Sequence, residues 1–115
     1  MSTTSYPDLT DGISKQIGQL RKGIPDTMKG FSAMAQGATA NATLDEKTKE
    51  LIAMGIAIAL RCDGCIGFHT KSLVRLGTTR PEFEEMLGVA IYMGGGPSLM
   101  YAAQALDAWE QFGGE

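Results

Sequence analysis

Ten consecutive uncharged residues, LIAMGIAIAL at positions 51–60, constrain this 115-residue chain more than any other stretch. A surface helix needs one apolar stripe, whereas a helix that is apolar all round must be covered on every side. At about half the length of a bilayer span, the run belongs inside protein and not inside lipid. Five other short helices could hardly enclose it alone, and Ala53, Gly55, Ala57 and Ala59 would let neighbouring helices come close. The run therefore predicts a homo-oligomer with this helix near a subunit interface.

The rest of the chain carries helical spacing and no strand-length alternation. Ile13, Ile17, Leu20 and Ile24 step along a first helix that stops near Gly23, Ile24 and Pro25. Met28, Phe31, Met34 or Ala35, and Ala38 mark a second. After the polar break at Asn41, Ala42 and Thr43, a capping box of Thr43 with Glu46 opens a third, which runs to about Arg61. A fourth carries both cysteines through Leu76 to a stop at Gly77. Thr79 and Glu82 form a second capping box around Pro81 and open a fifth helix, with Phe83, Met86, Leu87, Ala90 and Ile91 inward. Gly94, Gly95, Gly96 and Pro97 break the chain before a sixth, striped by Leu99, Ala103, Leu106 and Trp109. The expected fold is all-α, about six helices in one domain over residues 1–115, without linkers or repeats.

Composition narrows the function. Hydrophobic residues at 43 % and charged residues at 20 % describe a globular chain. With a net charge of −3 and no Lys/Arg cluster, nucleic-acid binding is not expected. The first eight residues, MSTTSYPD, lack a secretory pattern, and no stretch is long enough to span a membrane, so a cytoplasmic location is expected. There, a C-x-x-C pair does chemistry or holds metal more often than it staples a fold.

The apolar run ends at that pair. Cys62, Cys65 and His69 include both cysteines and the only histidine. In a helix, spacings i, i+3 and i+7 place them within roughly a 60° sector of one face, and His69 can reach the sulfur of Cys65. A free thiol near pKa 8.5 is only about 3 % thiolate at pH 7, and making it mostly thiolate asks for roughly 2.7 kcal/mol. A helix N-terminus and a nearby base supply such stabilisation, and both are present: the fourth helix should begin near Cys62 and Asp63, and His69 lies one turn past Cys65. The base favours Cys65 as the reactive thiol, the helix N-terminus favours Cys62.

Other readings of the pair fit less well. A thioredoxin-type motif needs a βαβ setting. Haem attachment wants histidine directly after the second cysteine, where Ile66 stands. A zinc site could combine Cys62, Cys65, His69 and a carboxylate, but zinc ligands usually come from two separated pairs. A free structural pair in a core is disfavoured by Asp63, Gly64 and Gly67 beside it. Met86, Met93 and Met100 read as packing, and the glycine-proline corner lacks the lysine of a phosphate loop. A metal- or ligand-binding helical module is the non-enzymatic alternative.

Glu50, eleven residues, Cys62-x-x-Cys65, three residues and His69 resemble the motif of the carboxymuconolactone decarboxylase superfamily, in its alkylhydroperoxidase AhpD-like branch. Leu76-Gly77-Thr78, the acidic Glu82, Glu84 and Glu85, and Tyr92-Met93-Gly94-Gly95-Gly96-Pro97 agree, so the similarity covers residues 25–112. The resemblance implies trimers or hexamers and a disulfide-cycling peroxidase; no bound cofactor is required for that scheme, and no metal is expected. It also implies the roles: Cys65 attacks a small hydroperoxide, Cys62 resolves, His69 relays the proton, Glu50 is the base behind it, and an external dithiol reduces the disulfide. Without the resemblance, Glu50 reads as the last solvated charge before the apolar run; at such a boundary the alternative is a partly buried carboxylate suited to proton transfer. One departure stands out: the best-known peroxidase of the branch has a second histidine between the cysteines, where this chain has Gly64. The lactone decarboxylases of the wider superfamily lack the cysteine pair; a decarboxylase or isomerase on the same scaffold is the remaining alternative.

Overall fold

A computed structural model describes residues 4–115 as six helices: α1 (Tyr6–Gly23), α2 (Pro25–Thr39), α3 (Glu46–Ala59), α4 (Asp63–Arg75), α5 (Arg80–Gly94) and α6 (Gly96–Gln111). No strand occurs among the described residues. Residues 1–3, part of the stretch read as lacking a secretory pattern, lie outside them. No described helix is long and apolar enough to cross a membrane.

Local chemistry sets most boundaries. The Thr79–Glu82 capping box forms as expected, satisfying two orphan amides reciprocally. The expected box at Thr43 does not. Asp45 is the N-cap of α3, its carboxylate accepting from the Thr48 amide at 2.8 Å, and Asn41 Oδ1 accepts from the Glu46 amide at 2.6 Å. Aspartate caps as well as threonine and stands directly before the helix. The four-residue corner reduces to a single hinge, Gly95 with φ 70°, between α5 and α6.

The core gathers Met54 and Ile58 of α3, Ile66 and Leu73 of α4, Phe83 and Leu87 of α5, and Trp109 of α6, with Tyr6 inserted from α1. The rings of Phe83 and Trp109 lie 4.6 Å apart. Helices α3 and α4 run antiparallel, pinned by Arg75–Glu46 at one end and by Thr70 Oγ1 on Met54 Sδ within the core.

Three expected faces are corrected. The buried face of α6 is Ser98, Ala102, Ala105, Ala108 and Trp109, while Leu99 and Ala103 face out. A row of alanines lets α6 lie close to its neighbours, and counting large side chains overlooked it. On α1 the buried residues are Tyr6 and Thr10; Ile13 and Ile17 are half-buried, and Leu20 and Ile24 are exposed. Tyr6, Thr10 and Ile13, in the first half of α1, approach Gly67 and Gly64 of α4; farther along, Ile17 and Arg21 share a groove with Met28 and Phe31 of α2. On α2 nothing is buried, because it packs only against α1 and α3.

The apolar run is likewise half covered. Met54, Ala57 and Ile58 are buried, but Ile52, Ile56 and Leu60 are 50 %, 53 % and 71 % exposed. With Val89 and Met93 of α5, Ile52 and Ile56 line an open apolar groove of about 630 Å³.

Tyr6 has no exposed surface. Its phenol is pushed up to about 12, by burial first and then by Asp63, Asp107 and Tyr101. A raised folded pKa stabilises the fold below the unfolded value of 10.0, and that contribution is lost as pH rises through about 12. Alkaline unfolding followed by circular dichroism should therefore show a decline between these pH values that Tyr6→Phe flattens.

Candidate active site

The site begins where α3 ends. Arg61 adopts φ 56°, a left-handed conformation, and its amide bonds Ile58 O while that of Cys62 bonds Ala57 O, both at 3.1 Å. This pattern closes the helix and turns the chain sharply into α4. Cys62 is the N-cap of α4, at the expected start of that helix, and so stands just outside the helical face that carries Cys65 and His69; its Sγ accepts from the Cys65 amide at 3.1 Å. The two cysteines are joined as a disulfide, with Cα atoms 5.2 Å apart. Cys65 packs against the core.

One turn further along α4, His69 Nδ1 meets Glu50 Oε2 at 2.6 Å. Glu50, in the first half of α3, is 6 % exposed, which overturns the solvated reading of this residue and agrees with the buried one. The antiparallel pairing of α3 with α4 carries Glu50 to His69 across 19 residues of sequence, a juxtaposition that counting along one helix could not supply. With Glu50 accepting a hydrogen bond from Nδ1–H, the tautomer is set and Nε2 is the ring nitrogen left for proton exchange. Both cysteine sulfurs are engaged in the disulfide. Among the described residues no group of three or more His, Cys, Asp and Glu is arranged to hold a metal ion.

The back of the site is α1. A Cβ on Gly67 would lie 2.6 Å from Thr10 Cγ2, and one on Gly64 would lie 2.8 Å from Ile13 Cδ1. A histidine at position 64 would thus have to displace Ile13. Sequence reading missed Tyr6, Thr10 and Ile13 as neighbours of the motif. Glycines inside a helix were the available signal, since they mark close approach. Arg61 gave no signal, because glycine is what normally advertises such a turn.

The sequence profile of the carboxymuconolactone decarboxylase family matches residues 25–108. The chain belongs to that family. A crystal structure of another family member, from Legionella pneumophila, superposes with a TM-score of 0.92 at 56 % identity, covering 93 % of this chain and 96 % of that one. A Thermotoga maritima member with a suggested part in antioxidative response superposes with a TM-score of 0.80 at 25 % identity, over 89 % and 87 % of the two chains. An uncharacterized protein of Cupriavidus necator is 40 % identical, over 92 % of this chain and 93 % of its own. This family member thus shares its six-helix architecture with solved relatives over nearly its whole length.

Proposed function

We propose that this carboxymuconolactone decarboxylase family member is a thiol-dependent peroxidase of the AhpD-like kind. The observation that carries the reading is a disulfide one helical turn from a histidine whose Nδ1 is held by a buried carboxylate. In the reduced protein His69 Nε2, backed by Glu50, takes the proton of Cys65. The thiolate attacks a hydroperoxide oxygen, the O–O bond breaks, and the alkoxide leaves as an alcohol by taking the proton from His69, with Cys65 as sulfenic acid. Cys62 then attacks that sulfur and expels water, forming the disulfide; an external dithiol returns both sulfurs to thiols. The scheme needs no bound cofactor, and a cytoplasmic setting would supply the dithiol. The antioxidative role suggested for the T. maritima relative points the same way.

Cys65→Ser tests it. With a dithiol donor present the variant should consume hydroperoxide no faster than buffer; consumption at the parent's rate would defeat the reading.

Assembly is the second element. The exposed Ile52, Ile56, Val89 and Met93 around the α3–α5 groove, with Phe31 and Met34 on α2, form apolar surface of the kind that seats another chain. A second copy is the occupant proposed, giving a homo-oligomer such as a trimer or hexamer. Sedimentation at micromolar concentration should show an oligomer, and a stable monomer would remove the proposal.

A further inference from the structure

Three helices of this chain end in the same hydrogen-bonded turn. At α4 the left-handed residue is Gly77, with Gly77 N on Val74 O and Thr78 N on Leu73 O, both at 3.1 Å. At α6 it is Gly113, with Gly113 N on Glu110 O and Gly114 N on Trp109 O. At α3 it is Arg61, the one non-glycine residue with positive φ among those described. Glycine closes this turn without strain, whereas any side chain there crowds the backbone. Residues held at such a cost cluster at functional sites. Arg61 directly precedes a disulfide-bonded cysteine and is exposed, and its guanidinium has no ion pair or hydrogen bond among the described residues.

The surroundings of the two sulfurs differ. Cys65 packs against the core and has His69 one turn away. Cys62 sits at the cap, between exposed Arg61 and exposed Asp63 and two residues after exposed Leu60. The neighbouring carboxylate, Asp63, lies close enough to Tyr6 to raise its pKa. We propose that Arg61 selects the electron donor of the redox site described above: a dithiol carrying an anionic group near its sulfur, which attacks Sγ of Cys62.

The donor thiolate bonds to Cys62 Sγ, the Cys62–Cys65 bond breaks, and Cys65 leaves with the electron pair. His69, holding a proton released by the donor, passes it to Cys65. The donor's second thiolate then attacks the donor's first sulfur in the mixed disulfide, closing the donor disulfide and breaking its bond to Cys62. Cys62 leaves as a thiolate facing the α4 amides and takes a proton from solvent. The donor loses two electrons to become a disulfide, and the chain's disulfide becomes two thiols. Helix-terminal stabilisation of Cys62 thus helps the last step, and the Glu50–His69 pair helps the first.

The test uses no peroxide. The oxidised protein is reduced at low ionic strength by mercaptoethanesulfonate, which is anionic, and by neutral 2-mercaptoethanol, and the ratio of the two rate constants is taken. Arg61→Gly, which keeps the turn, should lower that ratio about three- to fivefold, an effect that salt erases. Lys29→Gln on α2, with the same change in net charge, should leave it nearly unchanged. In a second arm, Cys65→Ser and Cys62→Ser proteins carry a 2-thiopyridyl disulfide on the remaining cysteine; the Arg61 effect on thiopyridone release should appear at Cys62 and be absent at Cys65. An unchanged ratio in Arg61→Gly, an equal fall in Lys29→Gln, or an Arg61 effect confined to Cys65 would overturn the assignment. Since only thiol exchange is measured, the result stands apart from the peroxide reading, which Cys65→Ser tests separately.

Discussion

Glu50→Gln is expected to slow hydroperoxide consumption about a hundredfold or more while leaving the fold intact. Glutamine keeps the shape and can still accept from His69 Nδ1, but it removes the negative charge that stabilises an imidazolium. His69 would then be a weaker base toward Cys65, so kcat/KM should fall and its pH profile should change form. The 2.6 Å contact and the 6 % exposure of Glu50 make the effect large, since little water is present to replace the lost carboxylate. Steady-state assays across pH, with circular dichroism to confirm folding, decide it. A variant as active as the parent would mean that this pair supports the helices and not the chemistry.

Gly67→Val, between Cys65 and His69, should be strongly destabilising, costing about 3 kcal/mol or more. Even the first added carbon would lie 2.6 Å from Thr10 Cγ2. Thr10 cannot turn away easily: it is 2 % exposed and its hydroxyl donates to Tyr6 O and Pro7 O. Helix α1 would have to lift, withdrawing Tyr6 from the core. Gly64→Ala provides the contrast, because its added carbon meets only the far end of Ile13. A better helix former there should be close to neutral or mildly stabilising. Urea midpoints of the two variants should separate widely; similar midpoints would mean that α1 is loosely held.

The helices were legible because their punctuation is chemical: Pro25, Gly77, the Thr79–Glu82 box and the Gly95 hinge all act through backbone geometry that a sequence displays. The shared face of Cys65 and His69 was legible for the same reason, being a matter of spacing on one helix. Inward faces were less so. Ala102 and Ala105 are buried because α6 approaches closely, and no property of alanine announces that. The pairing of Glu50 with His69 depends on two helices lying antiparallel, which only the resemblance anticipated. Arg61 was invisible because its role in the turn contradicts the preference from which such turns are read. The exposed half of residues 51–60 was foreseen in outline: a run apolar all round exceeds what one copy of this fold can cover.

The central claim is that the two sulfurs exchange electrons with a peroxide under the control of the neighbouring imidazole. A thiol count on fully reduced protein, before and after one equivalent of hydroperoxide, with mass mapping of the product, tests it most directly. The account predicts loss of both thiols per chain, a bridge between Cys62 and Cys65, and a rate that falls steeply in Glu50→Gln. Two free thiols surviving beside unconsumed peroxide would contradict it.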